Sequence, residues 1–315
     1  MARYLITGGA GFIGSALARE LILENHDVVI VDNLSTGRIE NIPPESIFVQ
    51  GDLSKMETLQ LIPNIPFDAV VHLAAQTSGA IGQSNPYADL QSNVGSTLLL
   101  SRWCLDRSIF RFIYTSSMTV YGSANRIPLD EGELCAPIGY YAASKLASEN
   151  YLRAASTEGL QSTCLRLYNV YGPGQNLGNL DQGMVSIYLA YLLNKQEIPV
   201  TGSFDRFRDF IYIDDVVSVF LKLLKVPKAD SFIYNIGSGK MLTVNELIAA
   251  LVLALNLPHD FPRNETHGSP NDLFGSIANI HRAKKELGWL PLIDFEEGIA
   301  RMVAWARAQP APKIP

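Results

Sequence analysis

The chain has 315 residues, 47% of them apolar and 18% charged, with a formal net charge of −6. That length supports one large or two interlocked domains with a substantial core, and the composition excludes a disordered chain. An acidic balance without any basic block argues against nucleic acid or an anionic membrane as partner.

Three widely spaced cysteines, Cys104, Cys135 and Cys164, form neither a metal pair nor a CxxC. They read as reduced packing residues of a cytoplasmic protein. Strand-like sequence from Tyr4 onward reads as a chain without a secretory leader. The most apolar run, Leu247 to Leu255, is about half the ~20 residues a spanning helix needs, and so predicts a buried core helix.

In chain order, "RYLITGG" predicts a short buried strand running into glycines. "AGFIGSALARELILEN" follows, with apolar residues at Phe12, Ile13, Ala16, Leu17, Leu21 and Ile22, which is helical spacing. "DVVIVDN" is a second strand ending on Asp32. Strand, glycine turn, helix and strand make a βαβ unit. Its glycines read equally well as Gly9-x-Gly11-x-x-Gly14 or Gly8-x-x-Gly11-x-x-Gly14, with Thr7 ahead of them. In either spacing one glycine permits the tight turn, one admits a pyrophosphate to the backbone, and one lets the helix pack on the sheet. Asp32 lies roughly 20 residues on, where a carboxylate accepts hydrogen bonds from a ribose diol. A 2′-phosphate there would meet like charge, so NAD is favoured over NADP, although Arg38 keeps the second reading open. "SIFVQGDLSK" predicts a third strand and then Asp52, either an adenine contact or a cap on the next helix. "FDAVVHLAA" is a fourth strand with His72 at its end. The five histidines form no cluster, so no metal site is expected, and His72 reads as a structurally satisfied side chain.

Tyr87 to Leu105 has a helical pattern, with Leu90, Val94 and Leu98 in step. "FRFIYTSS" is the fifth strand. Ligands of an open parallel sheet sit beyond the carboxyl ends of its strands, so Ser116 and Ser117 are expected to point into the cleft. The helix "GYYAASKLASENYLRAA" then carries Tyr141 and Lys145 four residues apart on one face. A free tyrosine titrates near ~10. The expectation is that the neighbouring ammonium favours the phenolate and makes Tyr141 a base. Ser117, Tyr141 and Lys145 together would oxidise an alcohol: the phenolate takes the hydroxyl proton while NAD takes the hydride.

The stretches "TGGAGFIG", "DNLSTGR", "HLAA", "SSMTVYG", "YYAASK", "LRLYNVYGPGQ", "RDFIYIDDVV" and "YNIGSG" occur in this order over essentially the whole chain. They resemble the extended short-chain dehydrogenases/reductases, and within them the nucleotide-sugar epimerases of the UDP-glucose 4-epimerase type. The resemblance implies a doubly wound parallel α/β sheet (Rossmann) for residues 1–172 with a returning segment at about 212–237. A smaller, mainly C-terminal α/β lobe would be formed by 173–211 and 238–315 and bind the nucleotide sugar. It implies NAD contacts from Gly8, Gly11, Phe12, Ile13, Gly14, Asp32, Asn33, Ser35, Thr36 and Gly37. Further contacts would come from Asp52, Leu53, Leu73, Ala74, Ala75 and Asn93, along with Tyr141 and Lys145. Substrate contacts would come from Ser117, Met118, Thr119, Asn169, Arg208 and Ser276. A homodimer would form through helices 87–105 and 140–156.

Two departures refine the expectation. Related 4,6-dehydratases carry an Asp-Glu pair where this chain has Met118-Thr119, and elimination needs those two proton-transfer groups. What remains is reversible oxidation, hence epimerisation. The family's arginine in an "RPGD"-like stretch is replaced by Ser269 of "SPND", with Arg263 or His267 as possible substitutes. Ser276 falls at the family's sugar-pocket gate, where a small residue leaves room for an N-acetyl group. The expected activity is therefore 4-epimerisation of a UDP-hexose or UDP-N-acetylhexosamine through a 4-keto intermediate. The alternatives are a uronate 4-epimerase, a 2-epimerase, a dehydratase or reductase of the same family, or an NAD-binding sensor without catalysis.

Overall fold

A computed structural model describes residues 1–123, 126–226, 229–268, 273–310, 312 and 314. The strands in chain order are β1 (Arg3–Thr7), β2 (Asp27–Asp32), β3 (Ile47–Gln50), β4 (Ala69–His72), β5 (Arg111–Ser117), β6 (Gln161–Leu167), β7 (Asn169–Tyr171), β8 (Ile198–Thr201), β9 (Phe207–Arg208), β10 (Phe210–Tyr212), β11 (Ile233–Ile236), β12 (Leu242–Thr243) and β13 (Arg263–Thr266). The helices are α1 (Phe12–Leu23), α2 (Met56–Leu61), α3 (Gly79–Ser84), α4 (Pro86–Leu90), α5 (Ser96–Asp106), α6 (Tyr140–Ala155), α7 (Met184–Leu193), α8 (Ile213–Lys225), α9 (Val244–Ala254), α10 (His281–Leu287) and α11 (Phe295–Arg307).

Seven strands form one sheet in the order β3-β2-β1-β4-β5-β6-β11, with every pairing parallel. A parallel sheet is covered on both faces, and its strands show this in their alternation. Ile6, Ile30, Val71, Ile113, Leu165 and Tyr234 point to one core with α1, α8 and α9. Leu5, Val29, Val70, Phe112, Cys164 and Ile233 point to the other, with α2, α5 and α6. Each such buried aliphatic side chain contributes about 1.5–3 kcal/mol. The segment expected to return to the sheet does so as β11, beside β6.

Two expectations about local structure need revision. The helix read over Tyr87–Leu105 is interrupted: α4 ends at Leu90, a π-helical turn covers Gln91–Gly95, and α5 continues from Ser96. Such turns insert a residue to re-aim a side chain, and here Asn93 is turned into the protein interior. The second is β7, which lies ahead of the boundary expected at residue 172 but pairs with β10 rather than with the main sheet. The C-terminal side shares its core with the sheet, since Leu189, Leu247, Trp289 and Met302 belong to the same apolar cluster as Ile6 and Leu17. Among the described residues no helix is long and apolar enough to cross a membrane.

In this strand order β1 stands between β2 and β4, and the connections leave it in opposite directions. A crevice opens at that reversal, beyond the carboxyl ends. Thr7, Asp32, His72 and Ser117 are the last residues of their strands.

Candidate active site

The glycine turn settles which spacing operates. Gly8 has φ +70 and donates its N–H to Val31 O at 2.8 Å. A Cβ there would stand 2.7 Å from Ala74 N, so the turn lies directly against the loop after β4. A Cβ on Gly14 would be 2.2 Å from Gly8 O, which is how closely α1 approaches the turn. Gly11 is the N-cap residue of α1 and makes no side-chain cap. Gly9 is needed for a different reason: its Cβ would strike the Ile30 side chain at 2.6 Å. The Gly8, Gly11, Gly14 spacing is thus the phosphate cradle, and Gly9 belongs to the packing. The first-turn amides of α1 and its dipole favour an anion there.

Asp32 is buried, and its carboxylate is oriented by backbone. Oδ2 accepts from Ala10 N–H at 3.0 Å and Oδ1 from Leu34 N–H at 2.8 Å. Each oxygen keeps a lone pair for a ribose diol. Asn33 Oδ1 accepts from Ser35 N–H at 3.0 Å, shaping the loop through Thr36, and Gly37 packs against Ala10. Arg38 reaches toward Asn176 Oδ1 at 3.3 Å, across the groove. Asp52 Oδ1 accepts from the amide and hydroxyl of Ser54 at 2.9 and 2.8 Å. It makes the turn before α2, whose N-cap is Lys55, so the helix-cap reading is corrected. Leu53 beside it is buried.

Below this groove Thr7 and His72 form a buried pair. Thr7 Oγ1 accepts from Leu73 N–H at 3.2 Å and Ala74 N–H at 3.1 Å. With both lone pairs used, its proton goes to His72 Nδ1 at 2.7 Å. His72 Nε2–H therefore donates to Thr97 Oγ1 at 3.1 Å, and Thr97 donates to Asn93 O at 2.6 Å. Burial, with Lys145 nearby, pushes the imidazole down to about 3, so it is neutral. This chain fixes Leu73, Ala74 and Ala75 along the crevice.

Asn93, expected to touch the cofactor, is buried and spends its amide inside the protein. Oδ1 accepts from Gln76 N–H at 3.0 Å, while Nδ2 donates to Gln76 O at 3.1 Å and to Ser144 Oγ at 2.9 Å. It clamps the loop after β4 to α6. Asp89, which the sequence did not single out, accepts from Gln76 Nε2 at 2.7 Å. Its Oδ1 is buried without a hydrogen-bond partner.

Ser117 and Tyr141 do meet: the serine hydroxyl is hydrogen-bonded to the phenol. Ser116 does not join them. Neighbouring strand residues face opposite ways, and the Ser116 hydroxyl donates instead to Glu149 Oε1 at 2.5 Å. Glu149 is held in turn by Arg166, through Nε at 2.9 Å and Nη2 at 2.7 Å. Lys145 is buried under the sheet end. Its Nζ donates to Thr115 O at 2.8 Å and lies 4.9 Å from the Tyr114 ring centroid. Burial brings the Lys145 ammonium down to about 8, against the opposing pull of Asp89 and Glu149.

The expected acidity of Tyr141 is reversed. Burial pushes the phenol up to about 12; the Ser117 hydrogen bond lowers it and Asp89 raises it. Desolvation of the phenolate outweighs the cation one turn away.

On the other wall Met118 packs with Tyr168, Leu273 and Ala278. The Thr119 hydroxyl donates to Ser117 Oγ at 2.9 Å. Asn169 Nδ2 donates to Asp209 O at 3.0 Å. Arg208 is buried, donating to Phe207 O at 2.8 Å and Phe274 O at 3.1 Å. Burial and the adjacent Arg206 lower its guanidinium to about 10. Asp209 is taken by the amides of Ser238, Gly239 and Ala278 at 2.6, 2.9 and 3.0 Å, so it is not the salt-bridge partner of Arg208. The Ser276 hydroxyl is buried beside Tyr168 and makes no well-formed hydrogen bond. Arg263 rests on the Phe204 ring at 5.7 Å, and His267 is exposed. Ser269 lies outside the described residues. Arg206 is the cation the sequence reading missed, and only its position two residues from Arg208 pointed to it.

A glycine cradle, a ribose-binding acid and a serine-tyrosine pair on one parallel sheet define a dinucleotide-dependent short-chain oxidoreductase site. The model of the NAD dependent epimerase/dehydratase family matches residues 4–237, and the chain belongs to that family. The putative UDP-glucose 4-epimerase of Methanocaldococcus jannaschii is 33% identical over 312 residues, covering 96% of this chain and 98% of that one. The crystal structure of the Thermotoga maritima UDP-glucose 4-epimerase with UDP-glucose superposes with a TM-score of 0.92 at 33% identity, covering 97% of this chain and 98% of that one. The UDP-N-acetylglucosamine 4-epimerase of Methanobrevibacter ruminantium, in complex with UDP-N-acetylmuramic acid, gives 0.89 at 29% identity, covering 96% and 97%.

Proposed function

We propose that the protein epimerises a UDP-hexose or UDP-N-acetylhexosamine at C4, through a 4-keto intermediate, with NAD bound throughout. The observation that carries this reading is the Ser117–Tyr141 pair with Met118 and Thr119 behind it. The family name covers epimerases and dehydratases, and elimination requires two further proton-transfer groups. Neither side chain can be one. The similarity to 4-epimerases over the whole chain supports the same reading.

The cradle of Gly8, Gly11 and Gly14 fits a pyrophosphate, and Asp32 fits the ribose beside it. Bound NAD supplies a hydride acceptor that becomes the donor in the return step. Tyr141 takes the proton of the C4 hydroxyl and returns it after the ketone has turned. Ser117 hydrogen-bonds the same oxygen, and Lys145 places a positive charge beneath the pair. Arg206 and Arg208, with Asn169, hold the diphosphate, an arrangement suited to guanidinium forks. The residues of 173–211 and 238–315 provide most of this wall. Exposed Tyr87, Leu90 and Leu98, facing the same way as Tyr140 and Tyr151 of α6, are apolar enough for a homodimer.

Proton NMR of the protein with a panel of nucleotide sugars tests the reaction. The C4 epimer should accumulate to equilibrium without net change in nicotinamide absorbance; a 4-keto-6-deoxy product would overturn the assignment. Tyr141→Phe should reduce turnover by about 10²–10⁴-fold while NAD stays bound.

A further inference from the structure

The hydrogen bonds of Ser117 are almost fully committed, and the commitment has a direction. A hydroxyl oxygen accepts two hydrogen bonds and donates one. Ser117 Oγ accepts from the Thr119 hydroxyl at 2.9 Å and from the Thr119 amide at 3.3 Å. Both donors sit on the 3-10 turn Met118–Tyr121 that Ser117 itself caps. Once both lone pairs are occupied, the serine proton can only be given away, and the group it meets is Tyr141.

We propose that Thr119 is a positioning residue that makes Ser117 an obligate donor toward the oxygen it shares with Tyr141 and the substrate. The proposal rests on the reading of Ser117 and Tyr141 as the reacting pair. Donation into a chain of hydroxyls also polarises the last proton in it, since each bond strengthens the next. Ser117 then stabilises negative charge on whichever oxygen holds it: the phenolate before proton transfer, the substrate oxygen during it. An ionised carboxylate at position 119 could only accept. It would draw the serine proton backwards, away from the cleft. A hydroxyl at this position therefore differs from an acid in the polarity it gives Ser117, and does not merely lack an acid's proton.

Three variants of the NAD-loaded protein test this. Thr119→Val keeps the volume and removes the donor; Thr119→Ser keeps the donor and trims a methyl; Tyr141→Phe supplies the spectroscopic blank. The first measurement needs no turnover: ultraviolet titration of the Tyr141 phenolate, as the difference from the Tyr141→Phe protein. Thr119→Val should ionise at higher pH than the parent, and Thr119→Ser at the parent's pH. The second is steady-state kinetics, where Thr119→Val should lower kcat by about tenfold, one hydrogen bond's worth, with KM changed less than about twofold. Thr119→Ser should restore kcat. An unshifted titration in Thr119→Val, or a Thr119→Ser protein as impaired as the valine variant, overturns the proposal. If no nucleotide sugar turns over with the parent protein, the reaction assignment fails, while the titration still decides the role of Thr119. Should valine not fold, Thr119→Ala enters the same titration.

Discussion

His72 lets the site's architecture be weighed by pH. Its imidazole is held neutral, with Nδ1 accepting from Thr7 and Nε2–H donating to Thr97. Burial depresses it to about 3 from an ordinary 6.5. The sign follows from linkage: an unfolded chain takes the proton first, so folded stability is complete above pH ~6.5 and declines as pH falls toward ~3. At about pH 5 the loss from this one group is RT ln(1 + 10^1.5), about 2 kcal/mol. His72→Gln removes the titration and leaves an amide that can accept and donate at similar positions. Urea unfolding of both proteins at about pH 8 and about pH 5 gives the comparison. The parent should lose about 2 kcal/mol more than the variant over that interval. Asp209, raised to about 6 by burial, contributes with the opposite sign, but it is present in both proteins and cancels. Equal losses in the two proteins would refute the neutral, doubly bonded imidazole. The consequence reaches the site, because a protonated His72 cannot accept from Thr7, and Thr7 holds the amides of Leu73 and Ala74.

Gly14→Ala places a Cβ 2.2 Å from Gly8 O. It should cost about 1–3 kcal/mol in stability by overpacking, with NAD affinity falling at least as far, as read by unfolding and by cofactor titration. Asp89→Asn removes a negative charge that raises both Lys145 and Tyr141. Both limbs of the kcat/KM profile should move to lower pH, and an unmoved profile would show that Asp89 is not felt at the pair.

The sheet was legible because its signals are local. Alternation along "DVVIVD" and the crowding of glycines after "RYLIT" depend on neighbours in sequence, and the structure places those strands and that turn as read. The Ser117–Tyr141 meeting was legible because strand ends of an open sheet converge. Ser116 was misread although strand alternation already assigns it to the opposite face from Ser117. What could not be read are side-chain bonds between distant segments. Gln76 with Asn93, Ser116 with Glu149, and Asp209 with Ala278 are joined only by folding. The π-helical turn at Gln91–Gly95 belongs with them, since its purpose is the clamp Asn93 makes. The acidity of Tyr141 failed for a related reason: a cation four residues away is visible in sequence, but the burial that outweighs it is not.

That reversal changes how the base must work. A rise from 10.0 to about 12 sets about 3 kcal/mol against the phenolate, so Tyr141 is a phenol at rest. The buried charges around it balance: Lys145 and Arg166 against Asp89 and Glu149, with Arg166 and Glu149 paired at 2.7 Å. A phenolate would be one anion too many. With one further cation it becomes the balanced state, and an oxidised nicotinamide carries that charge. Tyr141 is therefore favoured as a base only while the hydride has yet to leave the substrate, and as an acid once it has left. Proton and hydride then move together, and the ketone is not left beside a phenolate that could strip its neighbouring carbon. A site whose tyrosine was ionised at rest by Lys145 alone would lack that safeguard.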